Sequence, residues 1–367
     1  MAMKNQKAYF FGFSRWKHGF VRPFFCEYIP KNIYFINPIF STHIKLALKK
    51  GLNAESDIYL WGRKSFPDIE NFAKKNDIRI FRVEDGFIRS VGLGSDLTQP
   101  YSQVVDKSGI YFDPTQESDL EDYLNFYDFQ TDIQLLQRAK ILQEQIVKNK
   151  ISKYNADITK ELCFPKQRTI AVVIGQVEDD ASIRFGAKGM TNLKLLQKVR
   201  ENYPKHYLIF KPHPDVLSGN RVGNIDDQIA LNYCDEVITE VSISDVLNAV
   251  DEVHTMTSLT GFEGLLYGKK VYTYGMPFYA GWGLTTDIQN CKRRKRELDL
   301  TELIAATYLL YPRYISPKTK EPCEVEVLIK ELKEQKDALA ASFLLRSKSK
   351  FYSYFSRMSQ KLLSLVG

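Results

Sequence analysis

Three consecutive carboxylates, Glu178, Asp179 and Asp180, follow the apolar run Ile170-Ala-Val-Val-Ile-Gly-Gln-Val177, and Lys211-Pro-His-Pro214 comes about thirty residues later. A run of that kind reads as a buried parallel strand, and in open α/β sheets ligands bind in the crevice outside the carboxyl ends of the strands. Acids placed there suit a nucleophile or a general base; a solvated acidic loop is the plain alternative. Prolines on both sides of His213 fix its backbone and keep a helix from starting. His213 is therefore a candidate to donate to a phosphate or to protonate a leaving group, against the simpler role of a turn histidine. Further on, Met256-Thr-Ser-Leu-Thr-Gly-Phe-Glu263 reads as the start of a helix. Backbone N–H groups and the positive end of the dipole bind phosphate at such a start without a metal. Ser258 and Thr260 would add hydroxyls or merely cap the helix, and Glu263 is placed for a ribose diol.

These residues need strands and helices to hold them, and the pattern supplies two series. In the first half, Lys7–Phe13, Ile33–Ile36, Ile58–Trp61 and Ile78–Val83 read as strands, with helices at Ser41–Lys50 and Asp68–Lys75. This βαβ rhythm predicts a parallel sheet. Asp132–Lys150, rich in Gln, Leu and Lys, reads as a long connecting helix. A second series begins with strands Thr169–Ile174, Tyr207–Lys211, Val237–Thr239, Glu252–Thr255 and Val271–Tyr274, with helices at Asn192–Glu201, Ile243–Ala249 and Phe262–Tyr267. The expectation is an α/β protein of two Rossmann-like domains facing across a cleft: 1–165 with the connector, 166–320, and C-terminal helices over 321–367.

A length of 367 residues suits two domains, and 44% apolar with 26% charged residues suits two ordinary cores. No apolar run is long enough to span a bilayer, and Met1-Ala-Met-Lys-Asn-Gln-Lys7 has no signal-peptide character. Five scattered cysteines without a C-x-x-C pair argue against a disulfide framework or a zinc site, so a reducing cytoplasm fits. Gly92-Leu-Gly94 lacks the rest of a dinucleotide fingerprint and no P-loop motif occurs, which demotes NAD enzymes and P-loop NTPases. From residue 341 to 367, Arg346, Lys348, Lys350, Arg357 and Lys361 stand among aromatic and leucine residues with no acid. That composition suits a basic amphipathic helix on an anionic inner-membrane surface, or a terminal helix docked on the protein. No nucleic-acid recognition motif is present.

Taken together, Gly12-Phe-Ser-Arg-Trp-Lys17, Glu84-Asp-Gly-Phe-Ile-Arg-Ser-Val-Gly-Leu-Gly-Ser95, Gly109-Ile-Tyr-Phe-Asp113, Gly175-Gln-Val-Glu-Asp-Asp-Ala-Ser-Ile183, Lys211-Pro-His-Pro214, Ser258-Leu-Thr-Gly-Phe-Glu263 and Gly275-Met-Pro-Phe-Tyr-Ala-Gly-Trp-Gly-Leu284 resemble the KpsC-type capsular polysaccharide proteins, retaining β-Kdo glycosyltransferases. The resemblance runs in order from about residue 9 to residue 290. It implies a GT-B fold, with CMP-β-Kdo bound mainly by the carboxy-terminal domain and a glycan or lipid-linked Kdo acceptor by the amino-terminal one. His213, Pro214, Ser258 and Thr260 would hold the CMP part, with Lys211 a phosphate partner beside them. The Gln176-Val-Glu178-x-Asp180 element would carry the nucleophile, assigned to Asp180 in preference to Asp179. Two successive inversions through a glycosyl-enzyme give net retention. Kdo carries its own carboxylate beside the reacting carbon, so Arg89, Arg184 or Lys188 is expected to pair with it. Glu84 or Asp85 would act as base toward the acceptor hydroxyl, or cap the turn before Gly86. No cofactor and no metal are expected, and the chain carries one such module where many KpsC-type proteins carry two. The rivals are a transferase for another CMP-sugar such as sialic acid, a non-catalytic glycolipid-binding assembly protein, and a metal-dependent transferase using Glu178, Asp179 and Asp180.

Overall fold

The computed structural model describes residues 4–91, 98–153, 162–165, 167–217 and 221–341. The chain forms two compact units, one of Met1–Ile110, Lys153–Ala156 and Tyr308–Gly367, the other of Tyr111–Ser152 and Asp157–Thr307. Each is built on its own sheet.

In the first unit the strands are β1 (Ala8–Phe11), β2 (Ile33–Ile36), β3 (Asp57–Trp61), β4 (Ile80–Asp85) and β5 (Ser102–Asp106). Those of the second unit are β6 (Ile170–Ile174), β7 (Tyr207–Lys211), β8 (Glu236–Val237), β9 (Glu252–Thr255), β10 (Lys270–Thr273) and β11 (Thr286–Asp287). The chain then returns to the first unit as β12 (Pro312–Ile315) and β13 (Pro322–Cys323). The first sheet has the order β13-β12-β5-β4-β3-β1-β2 and the second β11-β10-β9-β6-β7-β8.

The four strands expected in the first sheet are parallel, and three strands beyond those expected extend it antiparallel. Strands β1 to β4 are parallel, but β5 pairs antiparallel with β4, β12 with β5, and β13 with β12. A parallel return needs a crossover of a dozen residues or more, usually a helix; between β4 and β5 none is formed among the described residues. The second sheet is parallel throughout. Its central strand β6 is buried at every position, as a strand covered on both faces must be.

Two boundaries also differ from expectation. The helix Ile133–Lys148, expected as a connector, belongs to the second unit. It buries Leu135, Ala139, Leu142 and Ile146 at helical spacing, and Gln143 Nε2 donates to Leu266 O at 2.9 Å. Asp132 caps it by accepting from Leu135 N. At the other end, residues from Tyr308 join the first unit, where Tyr311 Oη donates to Asp106 Oδ2 at 2.7 Å. The helix Val325–Ala341 follows; the tail expected as a membrane helix lies beyond it, outside the described residues. All five cysteines are free.

In the second unit, the Gly275–Leu284 motif is clamped from beneath by one buried arginine. Arg294 Nη1 donates to Pro277 O and Ala280 O, both at 2.5 Å, while its Nε reaches Glu121 Oε2 at 3.2 Å. Replacing Arg294 by Met should cost about 3 kcal/mol, since buried carbonyls and a carboxylate lose their donor. A urea unfolding midpoint equal to wild type would refute this.

Candidate functional site

In an open α/β sheet the binding crevice opens where the strand order reverses. In the second sheet that point lies between β6 and β9, which are adjacent although β7 and β8 intervene in sequence. The chain leaving β6 carries Gln176 to Asp180, and that leaving β9 carries Met256 to Thr260. Gln176 joins the two. Its Oε1 accepts from Thr257 N at 2.9 Å and Thr255 Oγ1 at 3.2 Å, and its Nε2 donates to Thr257 Oγ1 at 3.1 Å. Thr257 Oγ1 in turn donates to Ser182 Oγ at 3.3 Å, and Ser182 Oγ donates to Asp180 Oδ1 at 2.8 Å. A single chain of hydrogen bonds thus runs from a buried amide to an exposed carboxylate.

The three acids of the triplet have separate partners. Asp180 caps the helix Ala181–Gly186, its Oδ1 also accepting from Ser182 N at 2.9 Å. Asp179 is exposed and pairs with Arg221 at 3.1 Å. Glu178 Oε1 accepts from Asn192 N at 2.7 Å, so this side chain is committed to the loop. Asn192, buried and absent from the sequence expectations, donates through Nδ2 to Gln176 O and Gly223 O and accepts from Gln176 N. Its position as the first residue of a helix after a threonine cap was the only available signal. No cluster among the described residues has the make-up to hold a metal ion.

Ser258 caps the helix Leu259–Leu266, accepting from Thr260 N at 3.2 Å. Beneath this turn lies Tyr279, fully buried, whose Oη donates to Ser258 O at 2.5 Å. A Cβ on Gly261 would fall 2.1 Å from that oxygen, so only glycine lets the helix start sit on the ring. Gly275 is equally constrained, its Cβ position lying 2.8 Å from Gly186 O. Glu263 is buried on the same helix. His213 Nδ1 accepts from Asp215 N at 3.1 Å, which in the neutral ring leaves the proton on Nε2, the donor a phosphate requires. Pro214 begins the short helix Pro214–Leu217. Lys211 Nζ donates to Val241 O at 2.7 Å. Arg184 and Lys188 are exposed.

The first unit gathers a second group. Glu84 and Asp85 end β4, and Lys17 Nζ lies 3.6 Å from Asp85 Oδ2 and 3.6 Å above the Trp61 ring centre. Arg89 does not offer its guanidinium outward as expected: it is buried, with Nε on Asp85 Oδ2 at 2.8 Å and Nη1 on Ser90 Oγ at 3.1 Å. Asp85 Oδ1 is enclosed and has no hydrogen-bond partner among the described residues. The two acids are pushed apart. Burial, then the charge of Asp85, lifts Glu84 to about 7. For Asp85 burial acts upward, but the cations Lys17 and Arg89 outweigh it and hold the group below the usual carboxylate range. Burial also lowers Lys17 against the pull of Asp85. Two neighbouring carboxylates with opposed shifts are the arrangement from which acid and base roles are drawn. Lys17 was not singled out in the sequence, although it closes the Gly12–Lys17 motif. Replacing Lys17 by Met should move the Glu84 midpoint above about 7, because a lowering cation is lost. Carboxyl carbon NMR on glutamate-labelled protein reads this, and an unmoved midpoint would exclude Lys17 from the group.

The family model described as "Capsule polysaccharide biosynthesis protein" matches residues 56–314. The capsule polysaccharide modification protein LipA of Neisseria meningitidis serogroup A is 46% identical over 340 residues, 91% of this chain and 47% of its own length. The lipopolysaccharide-processing protein LpsZ of Rhizobium meliloti is 40% identical over 282 residues, 76% of this chain and 64% of its own. The chain therefore spans about half the length of the LipA relatives. Two solved structures from Thermosulfurimonas dismutans are similar: KpsC, beta Kdo 2,7 transferase, at 37% identity and a TM-score of 0.72, and KpsC, beta Kdo 2,4 transferase, at 33% and 0.76. Each covers 90% of this chain, which accounts for 100% and 98% of theirs. With the family model matching more than half of the chain and a relative 46% identical over 91% of it, the chain belongs to the capsule polysaccharide biosynthesis family and is of KpsC type.

Proposed function

We propose that this chain is a retaining β-Kdo glycosyltransferase of GT-B architecture. In this reading it moves Kdo from CMP-β-Kdo to a glycan or glycolipid acceptor in surface polysaccharide assembly. The observation that carries the reading is the likeness, above 30% identity across nine-tenths of the chain, to two KpsC β-Kdo transferases. The second unit takes the donor: His213 Nε2, Lys211 and the helix start at Ser258 and Thr260 face the CMP phosphate, with Pro214 shaping the turn and Glu263 assigned to the ribose. Arg184 or Lys188 meets the carboxylate of Kdo.

Asp180 is the nucleophile. The geometry favours it over Asp179, since Asp180 is held by the Ser182–Thr257–Gln176 chain while Asp179 is spent on a solvent-exposed arginine. With Oδ1 bound to Ser182, Oδ2 attacks the anomeric carbon, the bond to the CMP phosphate oxygen breaks, and CMP departs. The acceptor hydroxyl then attacks the glycosyl-aspartate from the other face, Glu84 takes its proton, and the Asp180 carboxylate is regenerated. A base with a midpoint near 7 is matched to that task. Lys211, His213 and the helix dipole neutralise CMP, so activity is expected to persist in EDTA.

The test is incubation with freshly generated CMP-Kdo and a β-Kdo-terminated glycolipid, following product mass. Wild type should give a product one Kdo heavier, and Asp180→Ala none; full turnover by Asp180→Ala would return the nucleophile to Asp179 or Glu84. Ser182→Ala, which removes the hydroxyl link to Thr257 and keeps the bond from Ser182 N to Asp180, should lower kcat by about 10²-fold with KM little changed. The rate should climb as pH rises through about 7, where Glu84 ionises, and Glu84→Gln should lose that limb. No product with any Kdo acceptor, in buffer or EDTA, would overturn the reading.

A further inference from the structure

The first fifty residues hold nine Lys and Arg against Glu27 alone, whereas the whole chain carries a net charge of only +7. Within this basic stretch the loop between β2 and the helix His43–Lys49 raises two adjacent apolar residues into solvent. Phe40 is 99% exposed and Ile39 68%. Both ends of the loop are fastened. Asn37 Nδ2 donates to Phe13 O at 3.1 Å and lies 3.0 Å from His18 Nε2, while Thr42 Oγ1 accepts from Lys45 N at the helix start. What stands clear is a short tip with Phe40 at its centre. The helix it enters continues the pattern, since Lys45, Leu48 and Lys49 are exposed and share one face by their i, i+3, i+4 spacing, Leu48 at 46%.

An exposed aromatic and a β-branched residue at a pinned loop tip have no role in the core of the unit. Ordinary surfaces show single apolar residues, not an adjacent pair at this exposure; Lys45 and Lys49 stand exposed on the helix that follows, whose start is also met by Asp68, its Oδ2 accepting from Ile44 N at 3.2 Å. We propose that this tip is a wedge for an anionic phospholipid bilayer: Ile39 and Phe40 enter the interface between headgroups and acyl chains while Lys45 and Lys49 meet the headgroup phosphates. The charge decides the occupant. An apolar tip followed by an exposed lysine face, in a stretch with nine cations against one acid, is complementary to acidic lipid, and shallow insertion plus lysine attraction add as two weak signals. The loop follows the carboxyl end of β2, and Glu84 and Asp85 stand at the carboxyl end of the parallel strand β4, so wedge and carboxylates share one end of the sheet. The inference does not rest on the Kdo reading, and it invokes none of residues 341–367.

The test uses the full chain and vesicles without donor or acceptor. Wild type is sedimented with phosphatidylcholine vesicles and with vesicles containing about a third phosphatidylglycerol, beside Ile39→Ser/Phe40→Ser, Lys45→Glu/Lys49→Glu and a variant with Arg346, Lys348 and Lys350 changed to Ser. Binding should require the acidic lipid and fall at least tenfold in each of the first two variants, which touch no buried group and should keep the wild-type circular dichroism. Phe40→Trp gives a direct reading, its added emission shifting to the blue only with acidic vesicles. Unchanged binding in Ile39→Ser/Phe40→Ser, with loss in the tail variant alone, would overturn the proposal. So would a concentration-dependent dimer abolished by Phe40→Ser, which would assign the tip to a second copy of the chain.

Discussion

The site of the second unit depends on the side-chain amide of Gln176. At the point where the strand order reverses, β6 and β9 lose the ladder that joined them, and their outgoing chains would part with polar groups unpaired. Gln176 closes this gap by accepting from a backbone N–H and a hydroxyl on the β9 side and donating to Thr257. A buried amide in that position must be satisfied at both ends or it costs more than an apolar residue. Asn192 does the same for the backbone of Gln176 itself. The result is a rigid frame from which Ser182 and Asp180 project, and in which the glycines at 261 and 275 let backbone and ring approach closely.

The first unit solves a different problem, that of holding two acids side by side. Adjacent carboxylates at the end of β4 cannot both ionise cheaply. Arg89 and Lys17 favour the charge on Asp85, while burial and then that neighbouring charge raise the midpoint of Glu84. Lys17 can do this because Trp61 accepts its charge on one side while Asp85 takes it on the other. A carboxyl that is half ionised near neutrality is useful to proton transfer, whereas Asp180 after β6 is exposed and held by hydrogen bonds from Ser182. Thus one carboxylate suits a nucleophile and the other a base, through environment alone.

The membrane question is likewise divided by charge. No helix among the described residues is long and apolar enough to cross a bilayer. Positive charge is gathered at the amino-terminal fifty residues and again after residue 341. Local clustering of one sign is what an acidic lipid surface detects within a Debye length, whatever the net charge of the molecule.

Much of the scaffold was legible from residues. Period and composition located β2, β7, β9 and the helix Ile243–Ala249 at their observed bounds. The family motifs lay, as expected, at the carboxyl ends of strands. Two things were not legible. Strand direction at the edge of the first sheet depends on whether a crossover helix forms, and β12 comes from a segment more than two hundred residues away that pairs with β5. The fate of each acid was equally hidden. Glu178, Asp179 and Asp180 are equivalent in composition, and the distinction among them comes from Asn192, Arg221 and a hydrogen-bond chain whose Gln176–Thr257 link spans 81 residues. The sequence by itself determined which chemical groups end which strands. Only the tertiary structure decided which carboxylate is buried, paired or held ready, because desolvation and hydrogen bonding are properties of neighbours that meet in space.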